Sequence, residues 1–348
     1  MYDFPPLAPP IWLRSGHANT IYSYLRPRRT HLPPAQQDWL PVAPGVELLL
    51  RSHWQAGAAP ALLLVHGLEG SSEAGYMLTT ARLALERGWH VVRMNVRGCG
   101  EGEARSETLY NSGMSGDVGA ALAWVLERPL VTAAALAGFS MGGNLVLKYA
   151  GEAGAATPSG LEAVAAVSPC LDLDACATAL HRRANRVYEW RFLVNLKQRL
   201  RRYAARFPGR YPADRLGVLH SVRDFDDAIT APFTGYRDAA EYYHRASAAH
   251  VLDDICVPTL VVHAEDDPFI VITPASRARL AANPAICFIL TPHGGHCSFI
   301  NRRRNGEGVY WAEARVVQFC TECVNREPPA AAGAGTRRPE QTLKHPPS

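Results

Sequence analysis

The stretch "GFSMG", Gly138–Gly142, holds a serine between glycines, the first group in this sequence whose type and spacing could do chemistry. The apolar run "AALAGFS" leads into it and the helix-like "GGNLVLKYA" leads out, so the serine sits at a strand-to-helix turn. A turn that tight needs glycines on both sides, and it leaves the Ser140 hydroxyl exposed at the carboxyl edge of a sheet above a helix amino terminus. A serine that merely capped the helix would leave both glycines unexplained. A hydroxyl is a weak nucleophile until a base takes its proton, and the base needs an acid to fix its tautomer.

The chain order serine, acid, histidine narrows the search for both. "LVVHAEDDPFI", Leu260–Ile270, puts Glu265, Asp266 and Asp267 directly after an apolar run, and only His293, His296 and His345 follow. His345 falls in a polar tail. His296, beyond the double glycine of "TPHGGHCSF", is the candidate base, and His293 reads as an ordinary loop or strand-end residue. Parallel neighbours in a sheet lie about 4.8 Å apart, so loops leaving the same ends of two strands bring an acid and a base together. Asp267 is the preferred acid because Pro268 biases it toward extended backbone. Glu265 and Asp266 read as turn or solvent-facing residues, and a one-residue shift in register would exchange the roles. In "LLLVHGLEGSSE" a His-Gly turn ends another strand, where the Leu68 N–H, with that of Met141, can aim at a carbonyl oxygen as it gains charge. His66 precedes the nucleophile and reads as structural.

These residues need a scaffold, and the surrounding pattern supplies one. Eight β-rich runs are read: "DWLPV", "VELLLRSHW", "ALLLVHG", "WHVVRMNV", "AALAGFS", "LEAVAAVS", "TLVVHAE" and "ICFILTP". The first two are close enough to pair as an antiparallel hairpin, whereas helical patterns separate the later ones, as in a mostly parallel sheet. The expected organisation is an N-terminal extension over 1–34, an α/β core over 35–169 and 258–325, an inserted helical cap over 170–257, and a tail over 326–348 too poor in apolar residues to order itself. In the cap, Leu193, Leu196, Leu200, Tyr203 and Phe207 share one helical face. The segment from His181 to Arg210 also carries ten Lys or Arg and a single acid, Glu189. Its arginines are expected in water, with attraction to anionic membrane or anionic substrate as the sharper reading.

Composition sets the outer limits. The chain has 348 residues, 47% hydrophobic and 20% charged, with a formal charge of +4. So weak a basic balance, without a clustered nucleic-acid module, gives no reason to expect a nucleic-acid partner. No apolar run is long enough to span a bilayer and the opening residues lack a signal-peptide core, so the expected location is cytoplasmic. The eight scattered cysteines suit a reducing compartment, and Cys320–Cys323 falls in a helical pattern without a second pair to make a metal site.

The chain resembles the YheT-like, embryogenesis-associated branch of the α/β-hydrolases. The resemblance is carried by "PPIWLRSGH", "HGLEGS", "NVRGCG", "YNSG" followed by Asp117, "GFSMGGN", "ANRVYEW", "FDDAITAPFTGYRDAAEYY", "AEDDPF" and "GGH", from Pro9 to about Cys323. It implies an α/β-hydrolase fold, Ser140 as nucleophile, Asp267 as orienting acid, His296 as base, and hydrolysis of a small-molecule carboxylic ester, of acyl or lipid type, without metal or organic cofactor. Asn19 stands where the branch tends to have glutamine, and the animal relatives' membrane anchor is missing. A thioesterase or amidase would use the same parts, and a non-catalytic binding protein on a hydrolase scaffold is the competing class. Oligomeric state has no signature in the sequence.

Overall fold

The computed structural model describes residues 2–326 apart from 27, 29 and 304–307; all but the first residue of the expected tail lies outside them. Strands β1 (Gln36–Ala43) and β2 (Val46–His53) form the expected antiparallel hairpin, with Gly45 at φ 68° in its two-residue turn. The others are β3 (Ala59–Val65), β4 (His90–Met94), β5 (Val131–Phe139), β6 (Leu161–Val167), β7 (Thr259–Ala264) and β8 (Ile286–Thr291). They make one eight-stranded sheet in the order β1-β2-β4-β3-β5-β6-β7-β8. β2 meets β4 antiparallel, and every pair from β4 to β8 is parallel. Because these six strands run the same way, the turns after β3, β5, β7 and β8 all open at one edge.

Eleven α-helices are found among the described residues. α1 (Gly16–Leu25), α2 (Gly75–Leu85), α3 (Ser115–Leu126) and α4 (Met141–Ala153) precede the cap segment. That segment holds α5 (Leu173–Leu180), α6 (Arg186–Arg206), α7 (Val222–Phe225), a π-helical turn at Asp226–Thr230, α8 (Ala231–Phe233) and α9 (Ala239–Ala246). α10 (Pro274–Ala282) and α11 (Trp311–Val324) close the fold. None of the helices among the described residues is long and apolar enough to cross a membrane.

Strand residues alternate between two apolar layers, as a period of two requires. On β3, Leu62 and Leu64 pack with Met77 and Ala81 of α2 and with Val316 and Phe319 of α11. Leu63 and Val65 face the other way, into a larger core shared with α3, α4 and the cap. The cap is therefore continuous with the second layer, through Leu193, Leu196, Leu200 and Tyr203 of α6, all buried.

Most arginines of α6 are exposed, as expected, and Arg199 is the exception, although several of the exposed ones are bonded within the protein. Arg199 is buried against Glu69 at 2.9 Å, Arg202 grips Glu103 through two bonds of 2.7 Å, and Arg206 donates to the backbone carbonyls of Glu103 and Ala104. Arg210 reaches Glu107 at 3.2 Å. The loop after β4 is acidic, and it neutralises this end of the helix.

Asn144, fully buried on α4, shows what "GFSMGGN" does beyond its serine. Its amide nitrogen donates to the Ser112 and Ala246 carbonyls at 2.8 and 2.9 Å, and its oxygen accepts from the Ala248 N–H at 2.8 Å. One side chain thus satisfies three buried backbone groups from two distant segments. Asn144→Leu fills similar space and leaves all three unpaired, at about 1–3 kcal/mol for each such group. The expected result is a fall in unfolding free energy of at least about 2 kcal/mol, read from the shift in a urea denaturation curve.

Candidate active site

The site begins with a backbone problem. Ser140 lies between β5 and α4 at φ 55° and ψ −118°, a conformation unusual for an L-residue. A Cβ on Gly138 would fall 2.1 Å from the Gly142 carbonyl oxygen, and one on Gly142 would fall 2.3 Å from that of Val65. Only glycines allow β5, α4 and the end of β3 to close around the serine. The Ser140 N–H is held by the Val167 carbonyl at 2.9 Å, which fixes the turn to β6.

His296 Nε2 lies 3.0 Å from Ser140 Oγ, and His296 Nδ1 lies 2.9 Å from Asp267 Oδ2. The carboxylate accepts the Nδ1 proton, which leaves the Nε2 lone pair toward the serine. Asp267 is held in turn by the N–H groups of Phe269 and Ile270, at 3.2 and 2.9 Å on its other oxygen. Burial alone would raise the Asp267 pKa, but the charge and hydrogen bond of His296 hold it below the ordinary carboxylate value. On His296, burial opposes the imidazolium, yet the Cys297 sulfur and the Asp267 carboxylate outweigh it and raise the pKa above its ordinary 6.5.

The neighbouring acids and histidines take other positions. Glu265 is exposed. Asp266 is not simply solvent-facing: burial raises its pKa, and it accepts the Gly295 N–H at 2.9 Å, so it shapes the histidine loop. His293 points its Nδ1 toward Asp266 at 3.6 Å, away from the serine's partner. His66 is fully buried, accepts from the Val96 N–H at 3.1 Å on Nε2 and donates from Nδ1 to the Gly67 carbonyl at 2.8 Å, with burial lowering its pKa to about 4.

The turn that carries Leu68 is closed by a bond from the Gly70 N–H to the Gly67 carbonyl at 3.0 Å, leaving the Leu68 N–H outside that bond. Gly67 lies directly against the serine, since a Cβ there would come within 3.0 Å of the Ser140 Cβ. Met141 is the first residue of α4, whose N–H has no intrahelical acceptor. Glu69 occupies the third place of the turn at φ 54°, where glycine is favoured. Its carboxylate accepts from Arg199 Nε at 2.9 Å and from the Tyr110 hydroxyl at 2.6 Å, and the Arg199 guanidinium stacks over the Tyr110 ring at 4.9 Å. The cap helix therefore pins the turn beside the serine.

Sequence reasoning missed this pin, and it missed the N-terminal contribution. The His296 N–H donates to Thr20 Oγ1 at 2.9 Å, and Thr20 itself donates to the Gly16 carbonyl at 2.7 Å. A Cβ on Gly16 would fall 1.7 Å from the Asp266 carbonyl oxygen, so α1 is pressed onto the loops after β7 and β8. Phe269, next to the acid, packs its ring on His296 at 4.5 Å between centroids. The only signal for α1 was that "PPIWLRSGH" recurs in the branch the chain resembles. Among the described residues no group of three or more His, Cys, Asp or Glu is placed to hold a metal ion.

Above Ser140 opens a cleft of about 940 Å³, its solvent-filled mouth included, between the core and the cap. Its walls are mainly apolar, among them Leu173, Ala177, Leu180, Phe192 and Leu196. At its far side Asp226, whose pKa burial raises to about 6, is bonded to Thr230 and Tyr243 at 2.6 and 2.7 Å.

Comparison with known proteins places this arrangement. A sequence model described as "alpha/beta hydrolase fold" matches residues 60–302. Over 274 residues the chain is 35% identical to a protein of Escherichia coli (strain K12) named "Putative esterase YheT", covering 77% of this chain and 78% of that one. It is 29% identical to the phospholipase ABHD3 of Mus musculus, over 84% of this chain and 72% of the relative. Among solved structures, a 2,6-dihydroxy-pseudo-oxynicotine hydrolase superposes with a TM-score of 0.58 at 17% identity, covering 89% of this chain and 72% of that one. With its parallel sheet, its serine on the turn after β5 and these relatives, the chain belongs to the alpha/beta hydrolase fold family, in the branch that includes YheT.

Proposed function

We propose that this protein is a serine hydrolase that cleaves carboxylic esters bearing an apolar acyl chain, through an acyl-enzyme on Ser140. The observation that carries the reading is the unbroken relay from Ser140 Oγ through His296 to Asp267, at 3.0 and 2.9 Å, on the floor of an apolar cleft. The names of the bacterial and mouse relatives, an esterase and a phospholipase, support the same reaction class.

In this reading Ser140 Oγ attacks the ester carbonyl carbon while His296 Nε2 takes the hydroxyl proton. The carbonyl oxygen becomes an oxyanion and accepts from the Leu68 and Met141 N–H groups, whose positions are fixed before substrate arrives. The imidazolium then gives its proton to the leaving alcohol, which departs with the C–O bond electrons. A water, deprotonated by His296, attacks the acyl-enzyme and releases the carboxylic acid and the free serine. Asp267 stays ionised throughout and steadies the imidazolium.

Ser140→Ala removes the nucleophile and no core volume; it is expected to abolish both ester turnover and labelling by a fluorophosphonate, with an unchanged circular dichroism spectrum. Asp267→Asn keeps the shape but offers an N–H to Nδ1, and about a 10⁴-fold loss in kcat is expected on an activated ester. Asp266→Asn keeps the oxygen that accepts from Gly295 and is expected to stay within a few-fold of the parent. If Asp266→Asn were the inactive variant instead, the assignment of the acid would be wrong.

The pKa of His296 gives a second test. Only a neutral imidazole accepts the serine proton, so kcat/KM rises with pH through the free-enzyme pKa of His296. Since neighbouring charge raises that pKa, the midpoint is expected above the ordinary 6.5. Asp267→Asn removes one raising charge and should move the midpoint of its residual activity to lower pH.

The pin on the oxyanion turn yields a third. Arg199→Met leaves Glu69 buried and unpaired, a loss of about 3–5 kcal/mol in stability. It also frees the turn, so kcat on a short neutral ester is expected to fall about tenfold or more, up to the roughly 10²–10³-fold seen when an oxyanion donor is lost outright. Adding Glu69→Gln removes the stranded charge, and thermal denaturation of the double variant should recover part of the stability without restoring kcat.

A further inference from the structure

Seven of the ten large hydrophobic side chains exposed among the described residues lie on two short segments: Ile11, Trp12, Ile21, Tyr24 and Leu25 near the N-terminus, and Val187 and Trp190 on the first turns of α6. Trp12 and Trp190 are 61% and 64% exposed, although each could bury far more area than most side chains. The segments adjoin. The Tyr24 hydroxyl accepts from Arg191 at 3.1 Å, His17 stacks on Tyr188 at 5.7 Å between centroids, and their polar atoms lie 3.0 Å apart. Helical spacing puts Ile21, Tyr24 and Leu25 on one side of α1, opposite Gly16 and Asn19, which are buried. On α6, Val187 and Trp190 stay exposed on the first turns, ahead of the buried Leu193 and Leu196.

The charges within these segments are one-sided. Residues 11–26 and 182–191 carry Arg14, Arg26, Arg182, Arg183, Arg186 and Arg191, all exposed, against Glu189 alone. Glu189 is buried and bonded to His181 at 2.9 Å and to the Val222 N–H at 3.2 Å. Arg199, Arg202 and Arg206, farther along α6, are bonded to acidic residues or to the loop after β4; among the described residues none of the six exposed arginines above forms an ion pair. The patch also reaches the site through contacting rings: Tyr188 packs on Phe269 at 5.0 Å, and Phe269 on His296 at 4.5 Å.

We propose that this face, formed by Ile11–Leu25 and the first turns of α6, docks on an anionic lipid surface and brings the mouth of the cleft to the bilayer interface. Trp and Tyr suit the headgroup boundary, the aliphatic side chains enter the acyl edge, and the arginines meet anionic headgroups. A second copy of the chain fits less well, because a two-fold contact would set the same arginines against each other. The proposal deepens the reading of Ser140 as an ester-hydrolysing serine by naming where its substrate comes from. It moves the membrane contact expected of the cap from the later turns of α6, where Arg199, Arg202 and Arg206 are bonded within the protein, to its beginning.

The test is co-sedimentation of the full chain with phosphatidylcholine vesicles, with and without phosphatidylserine, at low and high salt. The parent is expected to sediment with the phosphatidylserine vesicles, to bind phosphatidylcholine alone far more weakly, and to be released by salt. The combined variant Trp12→Ser, Trp190→Ser, Arg183→Gln and Arg186→Gln should lose at least about tenfold in vesicle partitioning while turning over a soluble short-chain ester at the parental rate. Unaltered binding by that variant, no binding by the parent, or conversion of a parental dimer to monomer would each overturn the proposal. Binding by Ser140→Ala separates the two questions: docking must survive in it, whereas a parent that docks but does not cleave the soluble ester would refute only the hydrolase reading.

Discussion

The backbone of Ser140, held at φ 55° and ψ −118°, costs on the order of 1–3 kcal/mol wherever an L-residue adopts it. The surrounding structure offsets that cost by leaving no alternative. β5 must stop at Phe139 because its neighbours β3 and β6 end beside it, and α4 must start at once because its first two turns are buried against the sheet. Gly138 and Gly142 are the two positions where these close approaches leave no room for a side chain. The exposed hydroxyl is thus a product of core packing: a strand and a helix are forced together, and the residue between them points outward.

A second constraint acts from the cap. Glu69 also sits in the left-handed region, and what holds it is a buried charge pair with Arg199 and a hydroxyl from Tyr110. A buried pair is weak evidence of stability gained, but breaking one leaves a charge with no solvent. Its effect here is geometric, since it locks the peptide units beside Ser140 to a helix 130 residues away in the chain. The same α6 lines the cleft with Phe192 and Leu196, so one helix both walls the space above Ser140 and steadies the turn beside it.

Local chemistry was legible in the sequence; contacts between distant segments were not. "GFSMG" announced its turn because glycine, serine and a change of hydrophobic period all occur within a few residues. The eight strands could be read because their apolar runs are short and separated by helical patterns. Which acid meets His296 was harder to read, since Asp266 beside Asp267 has the same chemistry and only the direction of the side chain separates them; Pro268 and the branch resemblance favoured Asp267, and that is the carboxylate His296 bonds. Among the arginines of α6 only Arg199 departed from water, and nothing in a run of arginines marks which one meets a buried glutamate. Thr20 gave no signal at all: its partner, the His296 N–H, lies 276 residues away, and a threonine on a short helix has many ordinary uses.

That last contact bears on where this molecule can be cut. The span shared with the hydrolase family, 60–302, contains Ser140, Asp267, His296 and both turn amides. It excludes α1, whose Thr20 holds the histidine loop, the β1–β2 hairpin that closes one end of the sheet, and α11, which roofs one of its two faces. The N-terminal strand of chain is itself laid over α11, with the Pro5 carbonyl accepting from the Trp311 indole at 2.8 Å and Tyr2 against Phe319 at 4.7 Å. A fragment trimmed to the family boundary would keep these residues and lose the parts that hold them in register. For this chain, the unit that a gene fusion or a truncation must respect runs well beyond the span that sequence similarity marks out.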